Sequence, residues 1–148
     1  MSKKFPIESK GFSPFRDLVG VTFTKVESGF SQCVLELNEK LLNAFGVLHG
    51  GAIFTMADSG MGGALYSSLD EDELCATVET SIVYFKPVTS GTITCNTKVI
   101  HRSKRIAILE SEIRSGDRLV AKALGTFSIY KEKEPLNATS SEDRSCAS

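Results

Sequence analysis

The chain has no apolar run approaching the ~18 residues that a membrane-spanning helix needs. Its first ten residues carry Lys3, Lys4, Glu8 and Lys10 and lack the continuous hydrophobic stretch of a secretory signal. A cytoplasmic protein with no membrane partner is expected. Positive charge is not in excess either: 17 Lys and Arg stand against 18 Asp and Glu, a formal net charge of -1. No global field gathers a polyanion, so nucleic acid is not an expected partner. Cys33, Cys75, Cys95 and Cys146 include no CxxC spacing, which argues against a zinc site or dithiol centre and, in a reducing compartment, for free thiols. The 148 residues leave no room for a second full domain. What is there is ordinary for a globular domain: 41% hydrophobic and 24% charged residues, which excludes wholesale disorder and fibrous repeats.

After a short helical turn at residues 14–18, two extended runs, 19–26 and 30–37, flank Glu27-Ser28-Gly29 and read as a hairpin. Residues 38–48 have no clean periodicity and are expected to be an irregular loop. From residue 50 to about 69 nearly every position is apolar or small, and Asp58 is the only charge before Asp70. A helix apolar on all sides is a buried one. Gly60, Gly62 and Gly63 each cost such a helix roughly 1 kcal/mol relative to Ala, which makes sense if another element approaches its backbone closely. Strands are predicted at 76–85, 92–101, 105–114 and 119–130, continuing as a meander. The last alternates Leu119, Ala121, Ala123, Gly125, Phe127 and Ile129 with a second set, the period of a sheet with one better-buried face. The order implies an α+β domain over residues 1–130, a curved antiparallel sheet wrapped around one long central helix. Residues 131–148 lose all periodicity and read as a disordered C-terminal tail.

Chemically useful groups are concentrated in the segment from Asn43 through Gly46, His49, Gly50 and Gly51 to Asp58. His49-Gly50-Gly51 falls where the long helix begins, so backbone N–H groups there lack intrahelical partners and carry the positive end of the macrodipole. A carbonyl oxygen that gains charge during attack is stabilised at such a place, and glycine lets it approach the main chain. The bland alternative is that both glycines only make a tight helix entry. Asp58, in apolar surroundings, must be paired, solvated through a cavity or protonated. Burial alone raises a carboxyl pKa and suits it to act as a base; the alternative is an acid that braces a backbone group or a partner side chain. Gly50 and Asp58 are eight residues apart, roughly 12 Å along an α-helix and about 80° around it. One chain does not easily bring both to a single carbonyl carbon. Two antiparallel helices across a two-fold axis do, in two equivalent composite sites.

The segment resembles the N-x-x-G-x-x-H-G-G-x-x-x-x-x-x-D motif of PaaI-type hotdog-fold acyl-CoA thioesterases, within the 4-hydroxybenzoyl-CoA thioesterase-like superfamily. With Tyr84-Phe85-Lys86-Pro87, Gly91 and Arg102-Ser103-Lys104-Arg105, the resemblance covers roughly residues 15–130. It implies a hotdog fold, hydrolysis of an acyl- or aryl-acyl-CoA to free acid and CoA, and a homodimer or a dimer of dimers. It makes Asp58 the general base or nucleophile, Gly50 the oxyanion donor, and Asn43, His49 and Thr77 the groups that line the thioester or position water. No cofactor is implied, since coenzyme A belongs to the substrate. Gly51, Glu79 and Tyr84 then line the substrate path. Arg102, Ser103, Lys104 and Arg105 form a basic turn suited to CoA phosphates, with Lys86 and Lys40 as weaker additions; such a turn is otherwise simply solvated. His101 reads as structural or surface. A hotdog dehydratase or hydratase is a rival reading, although the D-x-N-x-x-H pattern of such enzymes is missing. A non-catalytic acyl-CoA sensor is another, although no room is seen for a DNA-binding extension in about 15 N-terminal residues. Phe45, Phe54, Met56, Met61 and Tyr84 suit an aryl or an aliphatic pocket and equally an ordinary core.

Overall fold

The computed structural model describes residues 3–7 and 11–133; Cys146 and the tail expected beyond residue 133 lie outside them. A short helix α1 (Pro14–Val19) starts with proline at its first position and ends at Gly20, whose φ of 95° lets its N–H reach the Arg16 carbonyl. Strands β1 (Thr22–Glu27) and β2 (Phe30–Glu36) form the hairpin, and a 3-10 turn (Glu39–Leu41) lies within the expected loop. The long helix α2 (Gly50–Tyr66) follows, then β3 (Glu73–Tyr84), β4 (Thr92–Arg102), β5 (Ile106–Ser115) and β6 (Arg118–Lys131).

The six strands make one sheet in the order β1-β2-β4-β5-β6-β3, antiparallel throughout. A single long helix packed on a curved antiparallel sheet is the expected hotdog fold. The meander is correct for β4, β5 and β6 but not for β3. Both sides of β4 are taken, by β2 with Cys33 opposite Cys95 and by β5, so β3 crosses to the far edge and pairs with β6. This makes β3 an edge strand of 12 residues. It exposes Val78 at 61%, Val83 at 55% and Tyr84 at 47%.

The core lies between sheet and helix. Met56, Met61 and Leu65 from α2 meet Leu35, Ile93, Leu109 and Ile113 in it, all fully buried, and each such side chain contributes about 1.5–3 kcal/mol by leaving water. The sheet does not surround α2 completely. Gly51, Phe54, Asp58 and Gly62 recur at helical spacing on a stripe that stays partly or fully exposed. The expectation of a helix buried on every side is corrected here: an apolar stripe that one sheet leaves uncovered looks the same in sequence as one that is covered. Gly60 and Gly63 face inward. An added Cβ would stand 2.7 Å from Thr97 Oγ1 at Gly60 and 2.6 Å from Phe23 Cε1 at Gly63, whereas at Gly62 it would meet nothing. Two of the three glycines thus serve close approach and one does not. Cys33, Cys75 and Cys95 are free thiols. Among the described residues no helix is long and apolar enough to cross a membrane.

Candidate active site

The start of α2 is built by the loop before it. Asn43 Oδ1 accepts the N–H groups of Phe45 at 2.9 Å and Val47 at 3.3 Å, and its own N–H donates to the Val47 carbonyl at 2.8 Å. Gly46 completes this turn with φ 74°, a conformation that side chains disfavour. The Asn43 oxygen is therefore spent on the loop, and only its NH2 remains for a ligand. His49 is the N-cap: its Nδ1 accepts the Gly51 N–H at 2.8 Å. A neutral His49 consequently carries its proton on Nε2. An added Cβ at Gly51 would lie 2.9 Å from that Nδ1, so glycine keeps the cap intact. With the Gly51 amide occupied, the Gly50 N–H is left without an acceptor among the described residues and carries the helix's positive end. Tyr84 Oη donates to the Gly50 carbonyl at 2.8 Å. Gly50 borders a cavity of about 330 Å³ with Asn43, Ile53, Tyr84 and Lys86.

Asp58 sits two turns further on, on the uncovered stripe and only partly buried. Thr77 Oγ1, from β3, donates to its Oδ1 at 2.8 Å. Pairing and partial solvation thus answer the problem that a charged group on an apolar helix poses. Thr77 lies where the register of β3 against β6 breaks, between Thr77 and Glu79, with Val78 as the extra residue; such bulges re-aim side chains. Glu79 beyond it is exposed. Asp58 and Thr77 border a different cavity, of about 310 Å³, with Phe12, Arg16, Tyr66 and Cys75. Burial pushes the Cys75 thiol above its ordinary range, with a smaller upward push from Asp58, so it is a poor nucleophile. Gly50 and Asp58 therefore open into separate cavities of the single chain.

The basic turn is divided in its use. The Arg102 guanidinium donates to the Ser68 carbonyl and pairs with Glu73 at 2.6 Å. Glu73 also accepts the Asp70 N–H at 2.9 Å; this bond first, and then Arg102, hold its carboxyl below the usual range. Ser103 closes the turn, its N–H donating to the Ile106 carbonyl at 2.8 Å. Lys104 and Arg105 border an open cleft of about 700 Å³ with Asp70, Glu73, Tyr130 and Lys131. Lys40 and His101 are exposed and border none of these three cavities. Among the described residues no group of three or more His, Cys, Asp or Glu is arranged to hold a metal ion. Phe5, Phe12 and Arg16 were not expected at the Asp58 cavity. The N-terminal segment brings them there through contacts between distant parts of the chain, which spacing along the sequence does not reveal.

Residues 45–122 match the family described as the thioesterase superfamily. A Saccharolobus solfataricus protein named "Putative esterase" is 35% identical over 117 residues, 78% of this chain and 77% of its own. The 1,4-dihydroxy-2-naphthoyl-CoA hydrolase of Listeria monocytogenes is 24% identical over 120 residues, 80% of this chain and 98% of its own. The solved structure of a thioesterase from Haemophilus influenzae superposes with a TM-score of 0.83 at 20% identity, covering 92% of this chain and 98% of that one.

Proposed function

The chain belongs to the thioesterase superfamily, and we propose that it hydrolyses an acyl- or aryl-acyl-CoA to the free acid and CoA. The observation that carries this reading is the Asp58–Thr77 pair at 2.8 Å beside a cavity on the uncovered stripe of α2. The Gly50 N–H at the helix start is the natural donor to the developing oxyanion, because no other group among the described residues takes it. In the reaction, the carboxylate of Asp58 removes a proton from water, which attacks the thioester carbon, or attacks that carbon itself to give an anhydride that water then opens. Thr77 fixes the orientation of the carboxylate. His49 holds the helix entry, the Asn43 NH2 orients the thioester, and CoA leaves as the thiol once the tetrahedral oxyanion collapses. Glu79 and Tyr84 flank the substrate path in this reading. Lys104 and Arg105 meet the CoA phosphates, Arg102 and Ser103 hold their turn in shape, and Lys86, at the Gly50 cavity, adds a weaker contact. No metal or redox group is needed. The name of the Listeria relative joins an aromatic acyl group to CoA, and the ring-lined Asp58 cavity suits such a group.

Each site is shared between two copies of the chain. Support comes from the separate cavities of Gly50 and Asp58, from the apolar stripe that the sheet leaves open, and from the long exposed edge of β3, a surface that proteins rarely leave bare. The test is release of CoA thiol from a panel of acyl-CoAs. Wild type is expected to turn over at least one member, and Asp58→Asn to lose about 10²- to 10⁴-fold in kcat. Binding without thiol release, or conversion of the acyl chain with the thioester intact, would sink the proposal in favour of a sensor or a hydratase.

A further inference from the structure

One side chain at the Asp58 cavity has no part in this chemistry. Arg16, on α1, is only 6% exposed. Its guanidinium carbon lies 5.1 Å from the Phe23 ring centroid and 5.8 Å from that of Phe5, so aromatic rings cover it. Asp17 is its acidic neighbour among the described residues, at 3.8 Å, too far for a hydrogen bond. That carboxylate already accepts the Gly11 N–H at 2.8 Å. Arg16 Nε is buried with no hydrogen-bond partner among the described residues. Arginine has five donors, no acceptor and a permanent charge, and a buried donor of this kind is ordinarily paired.

Arg16 and Asp58 border one cavity, of about 310 Å³. The Phe23 ring beneath the guanidinium rests on Gly63, five residues after Asp58 and so about 7.5 Å along α2 and about 140° around it. Ring edges wall the space: Phe12 and Phe5 meet Tyr66 edge-on at centroid distances of 6.4 and 5.8 Å. An acyl tail that fills this cavity from a thioester held at Asp58 lies along these rings and against the Arg16 side chain that borders it.

The geometry points to Arg16 as a specificity-determining residue that hydrogen-bonds an oxygen at the far end of the acyl group. The protein accordingly favours acyl-CoAs with an oxygen acceptor on the tail over the same tails without one. This rests on the reading of the Asp58 cavity as the acyl site. A tail hydroxyl and a tail carboxylate share the required chemistry, and the carboxylate would also neutralise the buried charge.

The experiment measures kcat/KM for CoA release from two matched pairs: 3-phenylpropanoyl-CoA against its 4-hydroxyphenyl derivative, and hexanoyl-CoA against adipoyl-CoA. Wild type is expected to prefer the oxygen-bearing member of at least one pair by about tenfold or more, and the pair that responds identifies hydroxyl or carboxylate as the source. Arg16→Met should abolish that preference while leaving the unsubstituted member within about threefold of wild type. Arg16→Gln keeps a donor at this position and should retain part of the preference, and it serves if the Met variant folds poorly. Because preference is a ratio within one preparation, it does not depend on the folded fraction. The proposal is overturned if wild type shows no preference in either pair, or if Arg16→Met lowers both members equally, as a purely structural role would. Absence of CoA release from every substrate by wild type strikes the thioesterase reading itself and this proposal with it.

Discussion

A carboxylate held by one hydroxyl is a simple device with a separable contribution. Thr77→Val removes the hydrogen bond to Asp58 but keeps the strand residue's shape, so kcat should fall by up to about tenfold with KM little changed, and Thr77→Ser should restore it; steady-state kinetics of the two variants decide. Glu73 has a different role. Because its carboxyl lies below the ordinary value of 4.5 in the folded chain, its stabilising effect is fully present above that value and disappears as pH falls through the lowered one. Denaturant midpoints followed from neutral pH down to about pH 3 should therefore fall less steeply in Glu73→Gln than in wild type, and Arg102→Met should cost about 1.5–3 kcal/mol near neutral pH. At this scale the sequence was informative about residue type and poor about partners. Asp58 stood out as a lone charge on an apolar helix, and Thr77, expected to position water, donates to its carboxylate. Arg102 looked like a phosphate ligand because it sits in a basic turn. Its acid lies 29 residues away on another strand, and local charge pattern carries no sign of that.

Between elements, the glycines of α2 divide by what faces them. Gly60→Ala forces a methyl group against Thr97 Oγ1, which is itself hydrogen-bonded to Ser111 Oγ at 2.6 Å deep in the core. Gly63→Ala pushes on the Phe23 ring. Each overpacks the core, and each is expected to destabilise the protein by about 1–2 kcal/mol after allowing for the better helix propensity of alanine, as chemical denaturation would read. The position and length of α2 were legible because small and apolar residues run from Gly50 with Asp58 as the lone charge among them. Its open stripe was not, since phenylalanine and glycine there read as core. The strands were legible from alternation and turns. The crossing of β3 to β6 was not, because pairing partners are chosen by which edges remain free once β2 has taken β4, and that is a property of the assembled sheet.

In the whole molecule, the two ends of α2 serve different cavities, and subunit mixing tests whether two copies complete a site. Gly50→Pro removes the backbone donor at the first helical position, where proline is well tolerated. The φ of -62° and ψ of 134° at His49 already suit a residue before proline. A Cβ here would stand 3.1 Å from the Tyr84 ring, which is half-exposed and can give way, so the variant should fold and lose about 10²- to 10³-fold in kcat. Combined with Asp58→Asn in equal amounts, it should regain about one quarter of wild-type activity, since half of the random pairs carry one intact site of two. If the mixture stays as inactive as its parents, sites are not shared.

The separation of Gly50 and Asp58 into different cavities has one more consequence. Under the proposed sharing, a catalyst that borrows half its machinery from a neighbour is sensitive to its own abundance. Under dilution far enough to part the copies, the rate should fall as the square of total protein rather than in proportion to it, so scarcity alone would silence the reaction without any inhibitor.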